Sequence, residues 1–144
     1  PDATDDELWE ALRVAQAEGF VRAMPDGLES PISQGGTNVS GGQRQRLAIA
    51  RALVSKADIY LFDDAFSALD VATDARLRAA LRPVTHDAAV IVVAQRVSTI
   101  LHADRIVVLD EGRVVGSGTH EELLETCPTY LEIVQSQQAM EEAA

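Results

Sequence analysis

Two apolar segments, each about the length of one β-strand, constrain the fold of this chain more than any other feature of the sequence. They are Ile59–Phe62, which ends in two acids, and Ala88–Ala94. Continuous apolar runs of this length are typical of strands buried in a parallel sheet. Residues 67–81, which lie between them, are predicted to form a helix that stops near Pro83. Because strands alternate with helices, the sequence predicts an α/β layer architecture.

Further helices and one β-hairpin are predicted on either side of these segments. Thr4 and Glu7 have the spacing of a capping box, so a helix is expected to begin there. The turn residues 110–112 separate two short apolar runs and indicate an antiparallel hairpin. Since several helices precede the first strand, they are expected to form a helical part that lies apart from the sheet. The predicted helices are 5–24, 40–55, 67–81, 119–124 and 128–138, and the predicted hairpin strands are 105–109 and 113–115.

The charge of the chain limits the partners that it is expected to bind. Its 144 residues include 12 Lys plus Arg and 23 Asp plus Glu, which gives a net charge of −11. A broad acidic surface disfavours nucleic acid and anionic lipid, but it does not exclude a nucleotide site with local donors. No apolar run reaches the roughly 18 residues that suggest a membrane-spanning helix. The chain begins at Pro1, which suggests a fragment or a processed product, and the single Cys127 suits a reducing cytoplasm.

The segment Ser40-Gly41-Gly42-Gln43 has the chemistry of an anion site at the start of a helix. Two glycines allow the backbone to approach a ligand closely, and the first N–H groups of a helix attract negative charge. Ser40 adds a hydroxyl donor. Ser40 and Gln43 also have the spacing of a capping box, which does not require the two glycines. Both interpretations can hold at once.

Acidic residues follow the first predicted strand. A carboxylate at the carboxyl end of a buried strand, as at Asp63 and Asp64, lies where open α/β sheets bind ligands. The simpler alternative is a solvated strand end. Ser67 and Asp70 follow, and taken alone they indicate the N-terminal cap and the acidic first turn of the next helix.

The run from Ser40 to Leu53 resembles the signature motif of ABC ATPases, with Val39 where leucine is usual. In that family the motif contacts the γ-phosphate of ATP bound to the other subunit. The resemblance therefore implies ATP as a cofactor, with Ser40, Gly41, Gly42 and Gln43 as binding residues. About twenty residues later, the segment that ends at Asp63 resembles the Walker B motif, and this implies that Asp63 helps to hold Mg²⁺.

Besides Val39, two positions of the expected catalytic site depart from the family pattern. Asp64 stands where the family usually has a catalytic glutamate, and its carboxylate is drawn back by one methylene. A misplacement of about 1 Å can cost on the order of 100-fold in rate. Gln95 stands where the H-loop of ABC exporters usually has histidine; its side chain can donate a hydrogen bond but cannot titrate near neutral pH. If Asp64 and Gln95 occupy the catalytic positions, this site is expected to hydrolyse ATP poorly.

The resemblance also implies an arrangement in space. Ser67 and Asp70 fall in a segment that resembles the D-loop, which in the family lies across the dimer interface. The implied fold is a partial P-loop NTPase (RecA-like) sheet flanked by helices, together with part of the ABC α-helical subdomain. Residues 1–56 would belong to that subdomain and 57–144 to the later part of the ATPase core. No Gly-x-x-x-x-Gly-Lys-Ser/Thr sequence occurs, so the Walker A portion is expected to be absent and the chain to be inactive by itself.

Three functions are compatible with the sequence, and we predict the first. The first is the ATP-binding subunit of a heterodimeric ABC exporter, because residues 92–100 and 104–123 resemble the exporter type. Its partners would be a second nucleotide-binding domain and the transmembrane domains, which would place this otherwise soluble piece at the cytoplasmic face of the membrane. The second is a non-transport ATPase of DNA repair or chromosome maintenance. The third is a non-catalytic interaction module.

Overall fold

Helices and strands alternate along the chain in the computed structural model, which describes residues 3–142. The predicted α/β fold class is confirmed. The chain divides into two compact units, Pro1–Val93 and Ala94–Ala144. The elements are α1 Asp5–Val14, α2 Glu18–Arg22, α3 Gly41–Val54, β1 Ile59–Asp63, α4 Val71–Val84, β2 Ala89–Val93, α5 Val97–Ile100, β3 Ile106–Asp110, β4 Arg113–Gly118, α6 His120–Thr126 and α7 Pro128–Glu142, with short 3-10 turns at Gly27–Glu29 and Gln34–Gly36.

The sheet of the first unit is parallel, as the sequence predicts. Strand β1 pairs with β2 from Ile59 opposite Ala89 to Asp63 opposite Val93. Side chains alternate along β1, so that Tyr60 and Phe62 are buried while Ile59, Leu61 and Asp63 are exposed. The buried rings of Tyr60 and Phe62 stack with their centroids 6.1 Å apart. One face of β1 therefore packs into the core and the other is open.

The helices of the first unit share one core with this inner face of β1. Leu12 of α1, Ile49 of α3 and Leu77 of α4 belong to the same buried cluster as Tyr60 and Phe62. The expectation that the early helices lie apart from the sheet is therefore wrong, because their apolar faces are buried together with the strand. The assignment of residues 1–56 and 57–144 to separate family subdomains stays a prediction; the compact units divide between residues 93 and 94.

Two predicted helices differ from those observed. The helix predicted over 5–24 is interrupted at Gln16, whose φ of 58° is left-handed, and its carbonyl accepts a hydrogen bond from Arg46 Nη1 at 2.7 Å. The helix predicted over 67–81 begins instead at Val71 and continues past Pro83 to Val84. Pro83 lies in the last turn, where the missing N–H costs one backbone hydrogen bond and does not break the helix.

The second unit is built on the predicted hairpin. Strands β3 and β4 are antiparallel, with a register shift between Val108 and Leu109. Thr119 caps α6 in a capping box with Glu122. The helices cover one face of the hairpin through a core of Val97, Ile106, Val108, Leu123, Cys127, Tyr130 and Val134. No helix in the part of the chain that the structure describes is both long and apolar enough to cross a membrane.

Candidate functional site

Helix α3 begins with the predicted capping box. The Gln43 N–H donates to Ser40 Oγ at 3.2 Å, and the Ser40 N–H donates to Gln43 Oε1 at 2.9 Å. The first N–H groups of a helix have no partner within it. Since Ser40 satisfies the third of them, the N–H groups of Gly41 and Gly42 are left for a ligand or water. Ser40 and Gly41 are exposed, so an anion can reach this helix start from solvent.

Glycine at position 42 allows a neighbouring turn to approach the helix closely. A Cβ atom placed on Gly42 would lie 3.0 Å from the backbone oxygen of Ala68, which is closer than ordinary contacts allow. On Gly41 it would lie 3.6 Å from the Cβ atom of Ala68, an ordinary contact. The packing thus favours glycine at position 42, where an added Cβ atom would need the turn to shift by a few tenths of an ångström, and leaves room for a Cβ atom at position 41. The second glycine has a packing reason that the sequence alone does not reveal.

The two acids that follow β1 lie at the carboxyl end of the parallel pair. Asp63 is the last residue of the strand, and the Asp64 N–H donates to the Val93 oxygen at 3.0 Å. Asp64 has a φ of 49°, a left-handed conformation that Asp tolerates better than most side chains. Both carboxylates are exposed. They occupy the edge of the sheet where ligands of α/β proteins bind.

Ser67 and Asp70 have separate structural roles. Ser67 does not cap a helix; it lies in the turn after Asp64, and its hydroxyl donates to the Asp64 oxygen at 3.1 Å. Asp70 is the N-cap of α4, where Asp70 Oδ1 accepts from the Thr73 N–H at 2.9 Å. Hydrogen bonds from the Thr73 side chain and backbone lower the pKa of Asp70, which keeps this carboxyl charged.

Gln45 is the residue of this region that sequence reasoning missed. Its Nε2 donates to the Asp64 oxygen at 3.0 Å and to Ser67 Oγ at 2.9 Å. Its Oε1 accepts from the Ala68 N–H at 2.9 Å. One side chain of α3 thereby holds the turn that follows the acids. The sequence offered no signal for this contact beyond the place of Gln45 in the signature run, because its partners are 19 to 23 residues away.

Gln95 belongs to the second unit, whereas the other candidate residues belong to the first. It is exposed and stands between β2 and the short helix α5. Its backbone oxygen accepts a hydrogen bond from Gln137 of α7 at 2.6 Å. The sequence predicted a strand end at this position and did not predict α5.

Asp63 fits a magnesium ion that is held mainly by phosphates. In the described part of the chain no three His, Cys, Asp or Glu side chains cluster closely enough to hold a metal ion by themselves. Mg²⁺ is usually bound through one or two carboxylates together with substrate phosphates and water. A single exposed carboxylate at a strand end is sufficient for that arrangement.

Comparison with known proteins identifies the family of this arrangement. Residues 5–67 match the family described as ABC transporter. An ABC transporter ATP-binding protein of Mycobacterium tuberculosis is 60% identical over 134 residues, which are 93% of this chain and 23% of the relative. A solved bacterial Atm1-family ABC exporter with ATP bound superposes on 94% of this chain and 24% of its own, with a TM-score of 0.90 and 38% identity. The chain belongs to the ABC transporter family.

Within the ABC transporter family, the similarity extends to exporters. An ATP-dependent lipid A-core flippase of Albidiferax ferrireducens is 48% identical over 125 residues, 87% of this chain and 22% of the flippase. The chain spans about a quarter of the length of these ABC proteins. The α/β fold corresponds to part of an exporter nucleotide-binding domain, so the family expected from the signature and Walker B segments is confirmed. The roles of the individual site residues remain predictions.

Proposed function

We propose that this chain is the later part of the nucleotide-binding domain of an ABC exporter subunit, and that the start of α3 contacts ATP held by a partner domain. One observation carries the proposal: Ser40 caps the helix with its own side chain and leaves the N–H groups of Gly41 and Gly42 available at an exposed helix start. A helix N-terminus with open donors favours phosphate. Gln43 keeps this backbone in place through the second half of the capping box.

The chain's own acids would serve a second nucleotide. Bound ATP with Mg²⁺ supplies the transferable phosphoryl group, and Asp63 is the carboxylate that would help to hold the ion. Asp64 follows on a backbone that its hydrogen bond to Val93 fixes at the sheet edge. A carboxylate one methylene shorter than glutamate, on a fixed backbone, orients water less well. Gln95 would donate to a phosphate oxygen without titrating.

The two sites of the assembled transporter would therefore differ. The signature residues of this chain would support the partner's competent site, while Asp64 and Gln95 would leave its own site slow. This asymmetry favours a heterodimer with a homologous nucleotide-binding domain, joined to transmembrane domains at the cytoplasmic face of the membrane. Its test is the D64E/Q95H double variant of the full-length transporter, with ATPase expected to rise roughly ten- to a hundredfold. Unchanged ATPase would exclude the asymmetry, and D104E, which lengthens an exposed aspartate elsewhere, is the control.

The membership in a transporter is tested separately. An antibody against this chain should detect a membrane-associated product several times larger than 144 residues in the native source. A product of about this size that remains in the supernatant after ultracentrifugation would contradict the exporter proposal and favour the non-catalytic interaction module. A large product without membrane association would favour the non-transport ATPase.

A further inference from the structure

Gln137 of helix α7 forms hydrogen bonds on both sides of Arg96. Gln137 Nε2 donates to the Gln95 oxygen at 2.6 Å, and Gln137 Oε1 accepts from the Val97 N–H at 2.8 Å. The residues are 40 to 42 positions apart in the sequence. One planar amide thus holds the two backbone groups that flank the residue between Gln95 and α5.

The loop needs this contact because its own sequence supplies no side-chain cap. Arg96 is the N-cap residue of α5, and its side chain makes no capping hydrogen bond. Val97 is 8% exposed, so its N–H group is largely removed from water. A buried N–H without an acceptor is unfavourable, because it loses its hydrogen bonds to water and gains none in the protein. Gln137 provides the acceptor that a Ser or Asp at the cap position would otherwise provide.

Helix α7, which carries Gln137, is anchored in the core of the second unit. Tyr130 and Val134 of α7 are buried in the core of the second unit, and Gln137 lies one turn beyond Val134. The Tyr130 hydroxyl lies 2.8 Å from His120 Nδ1 on α6. The side chain that holds the Gln95 loop therefore extends from a helix with little freedom to shift.

We propose that Gln137 is a positioning residue for Gln95, and this rests on the proposed role of Gln95 at the nucleotide. Fixing the Gln95 oxygen and the Val97 N–H determines where the Gln95 side chain can reach. The amide of Gln137 carries its donor and its acceptor on two separate atoms, and the two contacts use one each. Glutamate would keep the acceptor for Val97 but lose the donor to Gln95, and asparagine would be one methylene short.

The first experiment measures amide hydrogen exchange in the full-length transporter, in a peptide that spans residues 94–99. Q137A should speed exchange of the Val97 amide roughly five- to tenfold, since one hydrogen bond is lost. Q138A, which changes the exposed neighbour on the same helix, should leave it unchanged. Unchanged exchange in Q137A would overturn the proposal. If Q137A speeds exchange throughout the second unit, Q137E becomes the deciding variant. Slow exchange of the Val97 amide in Q137E would support the contact, and fast exchange would overturn the proposal.

The second experiment measures whether the contact acts through position 95. In D64E/Q95H, Q137A should lower kcat roughly tenfold or more and leave the KM for ATP nearly unchanged, while Q138A should not. If D64E/Q95H raises kcat and the added Q137A substitution does not lower it again, the positioning role is overturned while the proposed function stands. If D64E/Q95H gives no gain, the proposed asymmetry fails, and hydrogen exchange alone then decides whether Gln137 holds the loop.

Discussion

The amide nitrogen of Gln45 lies 2.9 Å from the hydroxyl of Ser67, although 22 residues separate them in the sequence. The same side chain also bonds the backbone at Asp64 and Ala68. The helix that begins at Ser40 and the turn that follows Asp64 are therefore joined through one residue. A displacement of either segment would be transmitted to the other.

Removing this link should loosen the turn without unfolding the unit. Q45A deletes three hydrogen bonds at a partly exposed site, and we expect the free energy of unfolding to fall by about 1–2 kcal/mol. Urea denaturation measures this change. In the full-length transporter, Q45A should also lower the rate of ATP hydrolysis. Q45E keeps the acceptor for the Ala68 N–H but loses both donations, so it should lie between Q45A and the wild type. Equal stability of Q45A and the wild type would contradict the role of the link.

Ser40 should show separable capping and ligand effects. S40A removes the cap and should lower the free energy of unfolding by about 1 kcal/mol. S40D keeps an acceptor for the Gln43 N–H, so it should remain close to wild-type stability while its charge repels phosphate and lowers ATPase. T119A is the control, because it removes the capping box of α6 and should cost similar stability without changing ATPase. Normal ATPase in S40D would exclude phosphate binding at this helix start.

The two glycines of α3 should respond differently to alanine. G41A adds a Cβ atom in ordinary contact with Ala68. Because alanine has the higher helix propensity, this variant can gain up to about 1 kcal/mol in its free energy of unfolding. G42A places a Cβ atom 3.0 Å from the Ala68 oxygen and forces the turn to move. We expect G42A to be less stable than G41A by about 1–2 kcal/mol in chemical denaturation. Equal stability of G41A and G42A would show that the turn can move to accommodate the added Cβ atom.

An ion pair between Glu7 of α1 and Lys56, two residues after the end of α3, should make stability depend on acid pH. Lys56 Nζ lies 2.6 Å from Glu7 Oε1. The hydrogen bond from Lys56, followed by one from the Thr4 backbone, lowers the pKa of Glu7 from 4.5 to about 2. Because the folded pKa is depressed, the stabilisation is present above pH 4.5 and is lost as the pH falls toward 2. K56M should raise the pKa of Glu7 toward its ordinary value and flatten this dependence.

An NMR titration of the Glu7 carboxyl group measures that pKa directly. Both side chains are substantially exposed, so high salt should weaken the effect. A pKa of Glu7 that is the same in K56M and the wild type would contradict the assignment of the shift to Lys56.

Local chemistry determined which features the sequence could predict. The capping boxes at Thr4 and Ser40 were predicted because each requires only four consecutive residues. Taken alone, Ser67 and Asp70 indicated the cap of a helix, but the Ser67 hydroxyl bonds Asp64 and Gln45, and Asp70 alone is the cap. That competition depends on how α3 packs against the turn, which no local pattern records.

Contacts between residues far apart in the sequence could not be predicted from it. The break at Gln16 coincides with a hydrogen bond to its carbonyl from Arg46, 30 residues later. The helix α5 is capped by Gln137, which is 40 residues from Val97. Helical periodicity and capping rules use only neighbouring residues, so both features required the folded chain.

The open face of β1 has a consequence for the colloidal behaviour of this chain. Ile59 and Leu61 are 63% and 65% exposed, and Ile91 of the paired strand is 54% exposed. Contiguous apolar side chains on an uncovered sheet promote association between molecules. Electrostatic repulsion from a net charge of −11 opposes it at neutral pH. As acid protonates the carboxylates, that repulsion weakens until the net charge reaches zero at about pH 4.5, so the purified chain should scatter most light near that pH, and L61K should shift the onset to higher protein concentration.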